Sequence, residues 1–425
     1  MSSKALTAAV TEVAKSALVP QLRFPEFLEG WDTEDLGKVA DFVNEKITLE
    51  RVALENYVST ENILADYSGV ARASKLPTTG SVTRFKPNDT LVSNIRPYLK
   101  KVWVADKEGG ASNDVIVIRA KPRLLPQYLS TLLKNDTFID YVMTGAKGVK
   151  MPRGDVGSMK VYPTPYPAKP EQQKIADCLS SLDELIVAQA RNVDALKTHK
   201  KGLMQQLFPR EGETQPRLRF SEFRDTGEWK VHPIGDKIEL LSGYPFDGPD
   251  ISQDGTGVPL LRGINVTEGR VRHNIEIDRY FTGAVEGLEK YKLQLNDLVI
   301  GMDGSKVGKN SALITTADVE ALLIQRVARL RAKSVDLIRF IFQQINSSMF
   351  HRYVDKINTS SGIPHISAKQ IKEFCIAFPA AHEQQRIADC LTSLDDLVTA
   401  ATQEVETLKT HKKGLMQQLF PSVAL

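Results

Sequence analysis

A stretch of 14 residues, LKTHKKGLMQQLFP, occurs twice without a difference, at 196–209 and again at 408–421. The two copies end a longer repeat, because residues 171–209 align without a gap on residues 383–421 and 28 of the 39 positions are identical. The segments that precede the two copies differ far more from each other. This arrangement predicts a chain of two related units, each made of a divergent segment followed by the same long element.

The repeated element has the periodicity of a long α-helix. Apolar residues recur at steps of three, four or seven, which is the pattern of an a/d seam. Pro209 and Pro421 end the two segments, and acidic residues at the front with basic residues at the back suit the helix dipole. The residues that we expect to pack between the helices are Ile175, Leu179, Leu182, Leu196, Leu203, Ile387, Leu391, Leu394, Leu408 and Leu415.

The length of this helix predicts how it is used. A helix of about 38 residues is about 57 Å long, which exceeds the width of a small domain, so it needs a partner beyond its own domain. The other copy is the obvious partner, and two elements related by a pseudo-twofold axis run antiparallel. We therefore expect a coiled-coil rod of two long antiparallel helices that separates two globular domains. Gly202 and Gly414 inside the helices indicate either a close crossing or a local break.

Weaker echoes mark the beginning of each half. PQLRFPEF at 20–27 matches PRLRFSEF at 216–223, and a tryptophan follows each copy. The fold class predicted is α+β, with an internal pseudo-twofold repeat of two mixed α/β domains. The four predicted regions are a first globular domain at 18–169, a central helical region at 170–209, a second globular domain at 210–380 and a C-terminal helical region at 381–421.

Short runs rich in valine and isoleucine, with turn residues between them, predict strands in both globular domains. They include DTLVSNI at 89–95 and NDLVIGM at 296–302. Longer amphipathic segments at 128–143 and 336–354 each predict one helix.

The composition is that of an ordinary soluble protein, with 42% hydrophobic and 25% charged residues. A formal net charge of +3 does not by itself indicate a polyanionic partner, so any basic surface must be local. The three cysteines form no CxxC pair, which suits a reducing compartment. No run of about 18 apolar residues is present. We therefore expect a cytoplasmic protein without membrane contact.

Motifs for catalysis are missing from the sequence. GSKVGKN at 304–310 resembles a phosphate loop, but its glycines are too close together and Asn310 stands where Ser or Thr would hold magnesium. No GxGxxG opens a βαβ unit, and the seven histidines show no HxxxH or HExxH spacing. The sequence predicts a non-catalytic chain without cofactor or metal.

Basic, amide and hydroxyl side chains cluster in loops at corresponding places of both halves. Arginine and lysine neutralise phosphates, and arginine, asparagine and serine read base edges. Solvated surface loops carry similar residues, so each cluster is weak evidence when taken alone. The candidate DNA-binding residues are Asn94, Arg96, Tyr98, Lys100, Lys101, Lys147, Lys150, Arg153, Arg262, Asn265, Lys306, Lys309, Ser360, Ser361 and His365.

The repeated order resembles the specificity (S) subunits of type I restriction–modification systems. The resemblance rests on LRFPEF followed by tryptophan, NIRPYLKK or a GSKVGK-type turn after a strand, a Gly-x-Pro segment, and EQQ[KR]IADCL opening a long helix. It covers the chain from about residue 18 to the end.

The resemblance implies that the two globular regions are target recognition domains. Each reads one part of a bipartite, asymmetric site in double-stranded DNA, while the helical regions set the spacing and dock two methyltransferase (modification) subunits. Motor/endonuclease (restriction) subunits join through that complex. The resemblance also implies that the chain is non-catalytic by itself, whereas the assembled complex methylates adenine and cleaves DNA.

Two alternatives belong to other functional classes. The chain could be a stand-alone restriction or methylation enzyme fragment, which would transfer methyl groups without a partner. It could also be a structural coiled-coil adaptor, which would have no salt-dependent affinity for DNA.

Overall fold

The computed structural model describes residues 18–358 and 362–421. The chain divides into two compact units. Neither unit has the same boundaries as any of the four predicted regions. Of the described residues, those up to Gln189 and those from Glu404 onward form the first unit, and those from Ala190 to Gln403 form the second. Each unit therefore combines one globular region with the front of one long helix and the tail of the other.

Strands are short and evenly distributed over the two units. In the first unit they are β1 (Asp32–Asp35), β2 (Ala40–Phe42), β3 (Lys46–Thr48), β4 (Tyr57–Val58), β5 (Ser81–Phe85), β6 (Thr90–Ser93), β7 (Val102–Val104), β8 (Gly109–Ala111), β9 (Val115–Ala120) and β10 (Pro163–Tyr166). In the second unit they are β11 (Lys230–Pro233), β12 (Ile238–Ser242), β13 (Ile251–Ser252), β14 (Val258–Leu261), β15 (Tyr280–Phe281), β16 (Leu298–Gly301), β17 (Ser311–Leu313), β18 (Leu322–Leu323), β19 (Val327–Ala332) and β20 (Cys375–Phe378).

Apart from α1, the helices follow the same order in both halves of the chain. They are α1 (Leu36–Val39), α2 (Pro126–Leu133), α3 (Asp136–Thr144), α4 (Val156–Lys160), α5 (Lys169–Leu207), α6 (Val335–Ile345), α7 (Ser348–Ile357), α8 (Ala368–Glu373) and α9 (Ala381–Leu419). The two long helices, α5 and α9, have 39 residues each.

The main sheet has the same topology in both units. Its strand order is β2-β9-β6-β7 in the first unit and β12-β19-β16-β17 in the second, and all neighbours are antiparallel. A separate two-stranded ribbon, β1-β10 or β11-β20, accompanies it. The chain is therefore mixed α/β with two repeated domains, as the sequence predicts.

The central strands of the main sheet are covered on both faces. Val92 packs into the core that contains the helices, and its neighbour Leu91 packs into the core shared with the smaller sheet. Leu298 and Val299 divide in the same way in the second unit. Successive side chains of a strand point to opposite faces. These strands therefore read as continuous apolar runs in the sequence.

The smaller sheet is where the two units diverge. Its order is β3-β5-β8-β4 in the first unit and β13-β15-β14-β18 in the second. Both sheets contain one parallel pair, β4 with β8 and β14 with β18. A third strand pairs antiparallel with one member of that pair. In the first unit β5 pairs with β8, and in the second β15 pairs with β14. The repeat thus keeps its main sheet and reorders the second one.

An aspartate–arginine pair anchors the main sheet of each unit. Arg119 donates two hydrogen bonds to Asp89, at 2.7 and 2.6 Å, and Arg331 donates two to Asp297, at 2.6 and 2.7 Å. Both carboxylates are buried. Such bidentate contacts are specific in geometry as well as strong. The sequence contains the matching fragments IRAK and LRAK, an echo that our sequence analysis missed.

The prediction of one helix at 128–143 and one at 336–354 is wrong, since each segment forms two helices. Asn135 separates α2 from α3 in extended conformation, and its side chain accepts a hydrogen bond from the N–H of Thr137. Ser347 separates α6 from α7 and caps the N–H of Phe350. Asn and Ser side chains compete with the helical backbone and favour a new N-cap, which restarts the helix in a new direction.

The long helices pack in opposite directions within each unit. In the first unit, Lys412 Nζ donates to Asp183 at 2.6 Å and Gln189 donates to Glu404 at 2.5 Å. Moving forward along α5 therefore means moving backward along α9. In the second unit, Lys200 Nζ donates to Asp395 at 2.5 Å.

The ten predicted helix-packing residues are all at least partly covered. Four of them are buried, namely Ile175, Leu179, Ile387 and Leu391. The other six are half-buried, namely Leu182, Leu196, Leu203, Leu394, Leu408 and Leu415. The C-terminal ends of α5 and α9 bury more residues than the a/d pattern predicts, because Met204 and Met416 are also buried.

Candidate nucleic-acid interface

Three segments of the first unit meet beside the end of β6. The N–H of Asn94 donates to the carbonyl of Asp114 at 2.8 Å, the N–H of Arg96 donates to Pro152 at 2.8 Å, and the N–H of Gly154 donates to Asn94 at 3.1 Å. Main-chain hydrogen bonds therefore join the turn after β6, the residue before β9 and the loop before α4. We call this arrangement the frame of the first unit.

The second unit has the same frame. The N–H of Met302 donates to Arg326 at 2.9 Å, the N–H of Gly304 donates to Pro364 at 3.1 Å, and the N–H of Ile366 donates to Met302 at 2.9 Å. These bonds join the turn after β16, the residue before β19 and the loop before α8. The three bonds correspond one to one with those of the first unit.

The turn of the frame requires two left-handed residues. Arg96 and Lys100 have φ of 52° and 53°, and Gly304 and Gly308, which have the same spacing along the chain, have φ of 91° and 71°. Glycine adopts this conformation without strain, whereas other residues are held there by their surroundings. The fragments NIRPYLKK and MDGSKVGK are thus two sequences for one turn.

Exposed cations surround the frame of the first unit. The Lys147 side chain is 83% exposed and contacts Asp155 at 3.2 Å, and the Arg153 side chain is 58% exposed and contacts Asp114 at 2.9 Å. Arg96 and Lys150 are exposed as well. Among the described residues, neither of these two has an ion-pair partner. Cations that are weakly held at the surface are available for phosphates.

Other predicted residues of the first unit are engaged within the protein. Lys101 Nζ donates to the carbonyl of Thr60 at 2.7 Å, and Lys100 Nζ donates to Asp136 at 2.5 Å. Burial alone would raise the pKa of Asp136, but hydrogen bonds from Lys100 and Lys413 lower it. The Tyr98 ring is 48% exposed beside them.

Asn94 belongs to the frame through its backbone, and its side chain is half-buried. Its Oδ1 atom is buried and has no hydrogen-bond partner within the described part of the chain. A side chain on Gly154 would approach this oxygen to 3.0 Å, so glycine keeps the space open there.

The frame of the second unit borders an open depression of about 550 Å³. Arg262, Lys306, Asp303 and Arg326 line it, and the last two form an ion pair at 2.8 Å. The Arg326 side chain is 65% exposed. Burial, followed by repulsion from Arg279, lowers the pKa of Arg262. The depression therefore presents donors and an acceptor together.

Asn265 is the exception among the predicted contacts of this unit. It is buried, its Nδ2 donates to the Arg272 carbonyl at 3.2 Å and to Asp278 at 2.9 Å, and its Oδ1 accepts from the N–H of Arg262 at 3.2 Å. These bonds hold the loop after β14 in shape. The structure thus gives Asn265 a structural position, and we leave it out of the proposed DNA contacts.

The remaining predicted residues of the second unit lie around the turn. Lys306 contacts Glu268 at 3.2 Å, and Lys309 lies 3.8 Å from Asp355. His365 is exposed, and its backbone forms a bridge with Asp303. The predicted residues Ser360 and Ser361 lie outside the described residues.

Sequence reasoning missed Asp114 and Arg326, although both occupy one readable position. Each stands immediately before the long strand that carries the anchoring arginine, β9 or β19. It also missed His273, whose two ring nitrogens face Asp278 at 3.3 Å and Asp318 at 2.9 Å. This histidine connects the loop after β14 to the turn that follows β17.

Within residues 18–358 and 362–421, no group of three or more His, Cys, Asp or Glu side chains is placed to hold a metal ion. None of the helices in this same part of the chain is both long and apolar enough to cross a membrane.

Comparison with known proteins gives one consistent family. The model of the type I restriction modification DNA specificity domain matches residues 29–198 and, a second time, residues 226–410. The specificity subunit of the type I restriction enzyme MjaVIII of Methanocaldococcus jannaschii is 26% identical over 327 residues, which cover 74% of each chain. The EcoAI specificity subunit of Escherichia coli is 28% identical over 188 residues, 44% of this chain and 31% of that protein.

Solved structures resemble the chain in fold. The S subunit of a type I restriction–modification system from M. genitalium gives a TM-score of 0.60 at 15% identity and covers 96% of this chain and 100% of that chain. A chain from work on complex assembly and conformational transition of the type I R-M system gives a TM-score of 0.54 at 16% identity, with 93% and 99% covered.

Proposed function

Because the chain belongs to the type I restriction modification DNA specificity family, we propose that it is the DNA-recognition subunit of such a system. Each unit reads one part of a bipartite, asymmetric site in double-stranded DNA. The observation that carries this proposal is the frame: the same main-chain hydrogen bonds recur in both units, and the side chains on them differ. Two copies of one scaffold with different surfaces are what the reading of two different words requires.

The charged residues of the frame fall into two groups, one suited to the phosphates of DNA and one suited to its base edges. Exposed Lys147 and Lys150 suit phosphate oxygens, which position a protein on DNA without reading sequence. The carboxylate, guanidinium and imidazole groups of the frame offer donors and acceptors of the kind that distinguish base edges in the major groove.

We assign the long helices to spacing and docking. The pairs Lys412–Asp183 and Lys200–Asp395 occupy the same position of the repeat, one in each unit. Identical helix surfaces offered twice suit two copies of one partner, which we propose are the methyltransferase subunits. An antiparallel coiled-coil rod, about 58 Å long for 39 residues, would then fix the gap between the half-sites. Motor/endonuclease subunits would join through the same complex.

The proposed subunit carries out no chemistry itself. An isolated chain that transferred the methyl group of labelled S-adenosylmethionine to DNA would support the enzyme alternative. A coiled-coil adaptor, by contrast, would show no salt-dependent affinity for DNA, even in the complex.

Footprinting of the chain with its modification subunits tests the proposal. We expect two short protected segments separated by an unread gap, and one continuous footprint would contradict it. The double variant Lys147→Ala/Lys150→Ala should weaken binding to all sequences and lower the salt slope by about one per lost phosphate contact. Lys230→Ala, which removes an exposed cation of the ribbon β11-β20, is the matched control and should change neither quantity.

A further inference from the structure

We infer that four positions of the frame determine which bases each unit reads, an inference that rests on the proposed function. In the first unit these positions hold Ile95, Tyr98, Asp114 and Arg153. In the second unit the equivalent residues are Asp303, Lys306, Arg326 and His365.

Main-chain hydrogen bonds and turn geometry identify these positions as equivalent, so the equivalence does not depend on the side chains. Ile95 forms an antiparallel bridge with Arg153, and Asp303 forms the same bridge with His365. Tyr98 and Lys306 both lie two residues after the first left-handed residue of the turn. The carbonyl of Asp114 accepts from the residue after β6, as the carbonyl of Arg326 accepts from the residue after β16.

The side chains at these positions differ in chemistry from unit to unit. The four positions of each unit include one arginine–carboxylate pair, but the pair connects different positions in the two units. In the first unit Arg153 contacts Asp114 at 2.9 Å, and in the second Arg326 contacts Asp303 at 2.8 Å. The position before the long strand thus carries the carboxylate of the pair in the first unit and the guanidinium in the second. The main-chain hydrogen bonds are the same in both units.

These groups are free enough to exchange partners with DNA. Both arginines are more than half exposed, so an ion pair at such a site contributes little to stability. The pair instead holds the guanidinium in place until a base edge replaces the carboxylate. Arginine binds guanine O6 and N7 with two hydrogen bonds, aspartate accepts from cytosine N4, and an apolar side chain contacts the thymine methyl group.

The rest of the fold shows where the repeat does not tolerate change. The buried pairs Asp89–Arg119 and Asp297–Arg331 keep the same residue types at the same positions, and so do Pro152 and Pro364. Residue identity is thus kept where the fold depends on it. It is lost at the four positions of the frame, whose residues are exposed or half-buried and whose chemistry the fold does not depend on.

A graft between the units tests the inference. The quadruple variant Ile95→Asp/Tyr98→Lys/Asp114→Arg/Arg153→His gives the first frame the side chains of the second. In complex with the modification subunits, and with bound sequences selected from a random DNA library, we expect one half-site to change. Affinity for the original half-site should fall about tenfold or more, as for the loss of a bidentate base contact. The other half-site and the gap should stay as they were.

Two milder variants keep the test decisive if the graft does not fold. Arg153→Lys and Arg326→Lys keep the charge but remove the bidentate geometry. We expect each to change base preference in one half-site only, and a different half-site for each variant. Lys147→Ala is the control, and it should lower affinity without changing the selected sequence.

The outcomes separate this inference from the proposed function. If all these variants select the unmodified sequence in both half-sites, the four positions do not determine specificity. If the unmodified complex itself selects no bipartite sequence, the proposed function fails first.

Discussion

Arg23 and Arg219 show how a short sequence motif holds each unit together. Arg23 donates to the two carboxylate oxygens of Glu171 at 2.8 and 2.7 Å, and Arg219 donates to those of Glu383, both at 2.7 Å. The arginines come from the LRF motif, and the glutamates open the EQQ motif of the long helices. Two of the motifs on which the family resemblance rests are therefore the two halves of one buried contact.

We predict that Arg23→Met destabilises the first unit by about 3 kcal/mol, because it leaves a buried carboxylate without its partner. Glu171 is only 2% exposed. Hydrogen exchange read by mass spectrometry gives the free energy of opening for each unit separately. Arg219→Met should have the same effect on the second unit.

The double variant Arg23→Met/Glu171→Leu provides the control for this first prediction. Removing both partners of a buried pair costs less than removing one. The free energy of opening of the first unit should therefore be higher in the double variant than in Arg23→Met. If the single and double variants opened equally easily, the ion pair would not be the cause.

His273 predicts a pH-dependent loop in the second unit. Both of its ring nitrogens face carboxylate oxygens, so only the protonated ring can donate to both. Burial alone would lower the pKa of His273, but the hydrogen bond with Asp318 and the charges of Asp278 and Asp318 raise it above 6.5. The stabilisation is thus fully present below about pH 6.5 and is lost as the pH rises through the raised value.

We therefore expect the exchange protection factors of residues 265–278 to fall between pH 6 and pH 8, after correction for the intrinsic rates. In His273→Asn, which cannot be protonated, protection should be low at both pH values. A loop equally protected across this range in the unmodified chain would show that the histidine is not ionised between the two aspartates.

At the scale of elements, each long helix ends in the core of the other half's domain. Leu419 and Phe420, at the end of α9, are buried in the core that Trp31 and Tyr128 form in the first unit. Phe420 contacts both rings, with centroids 6.4 and 5.7 Å away. The tail of α5 fills the same place in the second unit. This explains why GLMQQLFP is identical in both copies, since it completes two similar cores.

We predict that Leu419→Ala destabilises the first unit by about 3 kcal/mol, the usual range for a leucine truncated in a packed core. The effect should fall on the peptides of residues 18–189, although the substitution lies in the second half of the sequence. Leu207→Ala should act in the same way on the second unit. Leu397→Ala, on an exposed face of α9, is the control and should change opening by less than about 0.5 kcal/mol.

The elements also show what the sequence could and could not predict. Both long helices follow from the apolar periodicity of their sequences, and the residues of that apolar stripe are buried or half-buried. The breaks at Asn135 and Ser347 were missed because the hydrophobic pattern continues across them, and only the capping geometry reveals the new helix. The predicted contact Asn265 turned out to be buried, since amides that shape a loop and amides that read a base look alike in sequence.

The frame itself could not be read from sequence, because hydrogen bonds between main-chain atoms far apart in the chain define it. The loop segments around Pro152 and Pro364 share a proline, but their partners Asp114 and Arg326 share no residue type. Positions that differ between repeats leave no sequence signal, and here they are the ones that we propose carry specificity.

At the scale of the whole molecule, the two units have the same contacts in a different chain order. The N–H of Leu22 donates to the carbonyl of Gln418 at 2.9 Å, and the N–H of Leu218 donates to that of Gln206 at 2.9 Å. In the second unit the chain runs directly from Gln206 to Leu218. In the first unit the same two positions come from residues far apart in sequence. The first unit is thus a circular permutation of the second.

Because the first unit is a circular permutation of the second, we predict that the segment connecting Pro209 to Pro216 can instead connect Pro421 to Pro20. A permuted chain would run from Pro216 to Pro421, continue through Arg-Glu-Gly-Glu-Thr-Gln copied from 210–215, and then run from Pro20 to Pro209. Every described contact of the LRF motifs and the helix tails is retained, so both units should still fold. The second unit loses the hydrogen bond that the N–H of Trp229 donates to the Thr214 carbonyl, so it should open somewhat more easily. With the modification subunits, the permuted chain should protect the same two half-sites across the same gap.

A permutant with the same new connection but opened between β6 and β7 serves as the control. That cut divides the turn of the first frame, so the half-site read by the first unit should be lost while the other is still protected. If the permutant opened at Pro216 instead lost one half-site or changed the gap, the segment 210–215 would do more than connect. Its contacts in the second unit would then have to contribute to spacing, and the two units would not be interchangeable in chain order.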